Sequence, residues 1–490
     1  MNDVNQIGPD EPHEYAATRA ASIEALDSLG RLNQMLEAVF ANKPVLRGLI
    51  HQETLGQYLD NALHWNVGEE FAGKQAFLSR LGHEVARLYG DQTAAKVTAQ
   101  MLTSFVLETG AHLHLPRRQD KVSKSTPYNV NAIIFQGQIL WAAANAAKGH
   151  SVSISFSSSR VPVNNANSAT YLDLPALEAP VRLVSDRYKE SPQYAVPGIN
   201  EEARARLRGQ LAKIKGRLGN DHAEVQLLES FLVICDRHPD HLSDQAALMH
   251  STWMNQVLSE SEITPVTIDS ESVAAQFLAD MLADKSSVVG RIFADAALRQ
   301  QFLVDMAGIP TGWEEGEIPF NQIDNSGKSA RLQPYTGNLD PDLLAQKLRA
   351  REILPYGILK FFCLISDAGV CPIGGMMQSG YLTELRNRSE KFLQMLGEAR
   401  RADKLATMPT DVAIVSPCWG IALAQKSLLN GVDALNAGVS KSDLQRIIQL
   451  SGRESLAIAA PTLYAFMCGE TPPLGYGSDL AALTPSAILR

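Results

Sequence analysis

No apolar run in this chain approaches the ~20 residues a helix needs to cross a bilayer. The apolar stretches are strand-sized, such as Ala132–Phe135 and Ile358–Ile365, the latter broken by Lys360. Cysteine is sparse and scattered: Cys235, Cys363, Cys371, Cys418 and Cys468, with no CxxC. That spacing excludes a thioredoxin-like motif and a zinc ribbon, and suits reduced thiols in a cytosolic compartment. Neither GxGxxG nor GxxxxGK[ST] occurs, so no dinucleotide fingerprint and no P-loop is present. GxSxG and HExxH are missing too, which removes the serine-hydrolase elbow and the zincin motif. Positive charge is in deficit: 44 basic against 53 acidic residues, net −9. A nucleic-acid partner is therefore not expected, since such proteins carry a basic face. The first residues are polar and acidic, without the pattern of a leader peptide, so the expected location is cytoplasmic with no membrane partner.

What remains is a globular composition, 45% hydrophobic and 20% charged, over 490 residues, long enough for about two to four domains. The pattern divides into four sections. Residues 1–115 carry helical stripes, for example Ile23, Leu26, Leu29, Leu32 and Leu36, then Leu55, Leu59 and Leu63, then Phe77, Leu81, Val85 and Leu88. Residues 116–200 mix strand and loop. Ser151–Ser157 alternates Val152, Ile154 and Phe156 with serines, the period-two signature of a strand, and Gly137–Lys148 reads as a helix before it. Residues 201–306 return to helix, with candidates at Glu201–Leu218, Asp221–Cys235, Ser243–Ser259, Ser270–Asp284 and Ser287–Met306. Residues 307–490 mix both types. They open on a long loop, 307–338, expected to be an irregular covering segment with Trp313 and Glu314, Glu315 and Glu317 in solvent. Leu359–Ser366 and Asp411–Val415 are strand candidates, and Gln378–Arg400 and Ile421–Leu429 helix candidates. The expected fold class is α+β and helix-dominated, with helical N-terminal and middle sections and smaller sheet-containing parts around one cleft.

The most structured chemical signal is Phe361–Arg388, read as a buried strand, a glycine turn at Gly374–Gly375 and a helix start. Exposed backbone N–H groups and the helix dipole attract an anion at such a place. Cys371 lies in that turn, and a helix start lowers a thiol's pKa. Cys371 and Tyr381 are the catalytic candidates, and Gln378 and Arg386 follow at spacings that reach a ligand. The run Ser155–Asn167 adds hydroxyl and amide donors beside one cation, so Arg160, Asn164 and Asn165 complete the substrate-binding set. A histidine-rich stretch holds His222, His238, His241 and His250 among Asp236, Asp240 and Asp244. It offers metal-ligating side chains without the spacing of a standard site. His112 and His114 form a weaker pair, two apart as on one strand face. No metal ligand is assigned and no cofactor is identified.

The favoured function is an enzyme acting on a small polar or anionic metabolite by group transfer. The alternatives are a metal-dependent oxidase or hydrolase built on the histidines, and a helical scaffold without activity. A small-molecule substrate is the expected partner, with homo-oligomerisation open.

Overall fold

The computed structural model describes residues 30–42, 54–111, 113–118, 130–164, 170–325, 329–414 and 431–452, with single positions outside these stretches. Asn165, His112, Cys418 and the expected helix over 421–429 lie outside the described residues. After a helical stretch over 30–42, the chain runs through α1 (Leu55–Leu63), α2 (Lys74–Tyr89), α3 (Asp91–Thr103), β1 (Val106–Glu108), α4 (Val130–Ala147) and β2 (Val152–Ser157). A short hairpin, β3 (Tyr171–Leu172) and β4 (Val181–Arg182), precedes α5 (Glu201–Leu218), α6 (Ala223–Arg237), α7 (Leu242–Val257), β5 (Thr264–Asp269) and α8 (Ser270–Ala283). Then come α9 (Val288–Ala294), α10 (Ala296–Asp305), β6 (Phe320–Asp324), β7 (Arg331–Pro334), α11 (Pro341–Arg349), β8 (Ile353–Pro355) and α12 (Gly357–Cys363). A π-turn over Leu364–Ala368 leads to β9 (Cys371–Ile373), α13 (Met376–Met395), α14 (Ala399–Ala406), α15 (Gly431–Ala437) and α16 (Lys441–Gln449).

The helix-dominated α+β class is what the structure shows. Each of the four sequence sections contributes one strand to a single sheet of order β5-β2-β1-β9, parallel throughout. Parallel neighbours need long crossovers, and helices supply them here. In chain order the sheet grows from β1 to β2 to β5, then returns to place β9 on the other side of β1. Between β1 and β9 the direction of growth reverses, and in open parallel sheets ligands bind outside the carboxyl ends of the strands at such a point. One apolar core runs through all four sections. Phe77 of α2 packs edge-on against Phe105 and Phe277 and tilts over Phe156, locking α2 and α8 to the sheet.

Most helices follow the apolar periodicity. Asn200, Asp269, Ser287 and Asp340 accept backbone N–H bonds at the starts of α5, α8, α9 and α11. Ser287–Met306 is two helices rather than one, because Asp295 stops α9 and caps α10. The basic run in α5 is laced with carboxylates, including Arg204 to Glu201, Arg206 to Glu202 and Lys213 to Glu178, while Leu207 and Ile214 are buried.

Several expectations are corrected. Leu359–Ser366 is helix and π-turn, not strand: its side chains are buried on all sides, and an apolar run without alternation does not select a strand. Asp411–Val415 reduces, among its described residues, to one bridge between Ala413 and Gly374. The 307–338 segment contains β6 and most of β7's hairpin, and β6 pairs antiparallel with both β7 and β8. Trp313 is buried, donating to Leu303 O at 2.9 Å and packing on Phe302.

Cys235, Cys363 and Cys371 are buried thiols outside any disulfide. Thiol titration of the denatured, non-reduced protein is expected to count five; a count of three or one would reveal disulfides.

Candidate functional site

A cavity of about 500 Å³ opens at the carboxyl ends of the parallel strands. Its wall gathers Thr109 after β1, Phe156 and Ser158 at the end of β2, Ser270 and Glu271 after β5, and Gln378 and Tyr381 from α13. Arg160, Thr311, Tyr356, Lys360 and Phe361 complete the polar and aromatic lining. The cavity therefore lies where the strand order reverses.

Asp269, the last residue of β5, fixes the base of this wall. Its Oδ1 accepts the N–H groups of Glu271 and Ser159, each at 3.2 Å, and its Oδ2 accepts Ser272 Oγ at 2.9 Å. Glu271, in the first turn of α8, is buried beside the cavity. Its Oε1 accepts Lys360 Nζ at 2.9 Å and Ser158 Oγ at 3.0 Å, and its Oε2 accepts Ser270 Oγ at 2.6 Å. Lys360 also donates to Ser270 Oγ at 2.9 Å. Burial alone would push Glu271 up, but the Lys360 ammonium, the Ser270 hydroxyl and Arg160 bring it below the usual carboxylate range. Burial and the neighbouring Glu271 charge push Asp269 the other way, to about 7. Burial and its neighbour thus favour the protonated form of Asp269, while Lys360 favours the ionised form of Glu271.

Arg160 leaves β2 and lies across Tyr356, its guanidinium 4.8 Å from the ring centroid. Its Nη1 donates to Pro355 O at 2.7 Å. Burial lowers its pKa and the Glu271 charge opposes that, but a guanidinium keeps its charge in proteins. Tyr381 faces the cavity with its ring 6.5 Å from Phe361. Burial raises its hydroxyl pKa, so at neutral pH it is a proton donor to a ligand rather than a base.

Of the residues the sequence singled out, the structure brings Arg160, Gln378 and Tyr381 together on this wall. Gly374 and Gly375 are not among its lining residues. Gln378 Nε2 donates to Thr109 O at 2.9 Å and Thr109 Oγ1 donates to Gln378 Oε1 at 3.0 Å, a clasp that lies against Gly374. A Cβ on Gly374 would meet the Gln378 amide at 1.5 Å, so that glycine makes room for Gln378 rather than for a ligand. Cys371 is a core thiol of β9, not a cavity nucleophile. It is fully buried, its Sγ lies 3.9 Å from Pro409 O, and burial pushes the thiol far from ionisation. Arg386 turns away from the cavity, donating to Met408 O at 2.7 Å and to Asn387. Asn164 is exposed and bonds Glu190 Oε1 at 3.1 Å.

The histidines are dispersed. His222 and His238 flank opposite ends of α6, 15 residues or about 22 Å of helix. His241 precedes α7, and His250 is buried with its ring nitrogens 2.9 Å from His114 O and 3.0 Å from Gln138 Oε1. Among the described residues no group of three or more His, Cys, Asp or Glu side chains is placed to hold a metal ion.

Sequence reasoning missed Lys360, Glu271, Ser270, Ser158 and Thr311. The usable signal was Lys360 itself: a lone cation inside an apolar run needs a buried partner. The chain matches no protein-family description and no characterised protein in sequence comparison, so the function is argued from this geometry.

Proposed function

We propose that the cavity at the carboxyl edge of the parallel sheet binds a small anionic metabolite and that the protein catalyses group transfer on it. The supporting observation is the charge left over inside. Lys360 is matched by Glu271 at 2.9 Å, whereas Arg160 has no carboxylate partner within 4.0 Å among the described residues. Its stack on Tyr356 and its bond to Pro355 O hold that charge in place, so a ligand anion meets a pre-oriented guanidinium. Ser158, Ser270, Thr109, Thr311 and Tyr381 surround the same space with hydroxyls, which orient a polar substrate. In the transfer step Arg160 binds and neutralises the anionic group. Lys360, held by Glu271, stabilises charge that builds on the transferred group, and Tyr381 donates a hydrogen bond to it.

The test is a thermal-shift screen of phosphorylated metabolites, nucleotides, coenzyme A esters and amino acids against wild type and Arg160→Met. Anionic compounds are expected to raise the melting temperature of wild type. Arg160→Met should weaken them by about 1.5–3 kcal/mol, the scale of a hydrogen bond to a charged group. Hits that are neutral, or that bind the variant equally well, would overturn the proposal.

A further inference from the structure

The geometry points to a phosphorylated ligand that spans two compartments, with its organic part in the inner cavity and its phosphoryl group in an adjoining outer one. The inference rests on reading Arg160 as the group that binds the ligand's anionic part, and it names the ligand class.

The outer compartment, about 610 Å³, shares Arg160 and Pro162 with the inner one. Arg160 and Pro162 therefore stand on the wall common to the two. The linings differ in kind. The inner wall carries the rings of Phe156, Tyr356, Phe361 and Tyr381, a surface suited to an organic group with hydrogen-bonding substituents. Among the described residues the outer wall has no aromatic residue, and its charged members are Arg160, Lys189, Arg331 and Glu190. Three cations against one carboxylate leave an excess of two positive charges, on a chain whose net charge is −9. A carboxylate ligand would match half of that excess. A phosphate monoester, carrying about −1.5 to −2 at pH 7, matches it. Lys189 and Arg331 make no ion pair among the described residues, and Glu190 is engaged by the Asn164 amide at 3.1 Å.

The outer wall is also built, not a chance meeting of loose side chains. The segment after Arg160 is bonded to the segment carrying Lys189 through Gln193 N to Val161 O at 3.1 Å, Val163 N to Ser191 O at 2.9 Å and Asn164 N to Lys189 O at 2.8 Å. Arg331 opens β7, whose sheet contains β8, and β8 ends at Pro355, the residue that holds Arg160. The three cations therefore stand on backbones tied to one another.

Inorganic pyrophosphate is the probe, titrated calorimetrically into the full chain at low and at physiological salt. The double variant Lys189→Ala/Arg331→Ala alters two exposed side chains and should keep the wild-type melting temperature. Wild type is expected to bind, and the double variant to bind at least tenfold more weakly with a shallower salt dependence. Arg160→Met should weaken pyrophosphate as well, since Arg160 serves both compartments. If the double variant binds like wild type while Arg160→Met does not, the anion lies in the inner cavity alone. The two-compartment inference then falls and the proposed function stands. Absence of pyrophosphate binding to wild type at millimolar concentration would also overturn the inference. The metabolite screen decides the proposed function separately.

Discussion

Replacing Lys360 by Met is expected to destabilise the fold by about 3–5 kcal/mol, the cost of leaving one half of a buried ion pair without its partner. Lys360 and Glu271 are 6% and 2% exposed at the side chain, so little water reaches the pair to replace the lost interaction. The ammonium supplies two hydrogen bonds, to Glu271 and to Ser270, and the carboxylate would keep only its two serine donors. Removing both charges together, in Lys360→Met/Glu271→Gln, should return most of the loss, because the desolvation cost of each ion disappears with its partner. Urea denaturation of the three proteins, followed by tryptophan fluorescence, measures both effects. A loss below about 1 kcal/mol in the single variant, or a double variant no better than the single, would show that the pair is hydrated and weakly coupled. The pair joins α12 to the first turn of α8, so it also sets the width of the inner cavity. The double variant is expected to be folded yet to bind anionic ligands more weakly.

How much of this was legible in the sequence varies with the range of the interaction. Helix α5 matches its predicted span, and α6, α7 and α8 differ from theirs by no more than two residues at either end. Their apolar stripes and caps are local properties that need no tertiary partner. Strand β2 was legible because its serines alternate with Val152, Ile154 and Phe156. Strand β5 was not, although Val266, Thr267 and Ile268 are good strand residues, because Pro265 breaks the pattern and is tolerated only since β5 is an edge strand. It lies between two strong helices, α7 and α8. Strand β9 is three residues inside a glycine-rich stretch, defined only by its pairing with β1. The site shows the same division. Arg160, Gln378 and Tyr381 stood out by type and spacing. Glu271 acquires its meaning from Lys360, 89 positions away, and no local pattern joins them. Cys371 misled because the helix start beside it was real, while burial in β9 outweighs any help from that start.

Glu108 should make stability fall as pH rises from about 4.5 to about 7, and Glu108→Gln should remove that contribution. Glu108 ends β1 at the point where the sheet reverses, and it is buried. Its Oε1 accepts Gly110 N at 2.5 Å, while among the described residues no group lies in good hydrogen-bond geometry to its Oε2. Burial pushes its carboxyl from an ordinary 4.5 to about 7, although Ser155 and the Gly110 and Ala111 N–H groups favour the ionised form. The sign follows from proton counts. Below about 4.5 the group is protonated whether the chain is folded or unfolded, so it makes no difference. Between about 4.5 and 7 the folded chain holds a proton that the unfolded chain has released, so stability declines as pH rises. Above about 7 the buried charge costs its full amount, about 3 kcal/mol at 1.36 kcal/mol per pH unit of displacement. Glutamine has the same shape and no charge at any pH. Glu108→Gln should therefore equal wild type near pH 4.5 and exceed it by about 3 kcal/mol at pH 8. Asp269, raised to about 7, and Asp367, raised to about 6, contribute with the same sign to both proteins and cancel in the difference. Denaturation curves at pH 4.5, 6, 7 and 8 give that difference directly, and a gap that does not change with pH would sink the assignment. Thr109, the next residue, clasps Gln378 on the cavity wall. Ligand affinity in wild type should then change over the same pH range, and in Glu108→Gln it should change less.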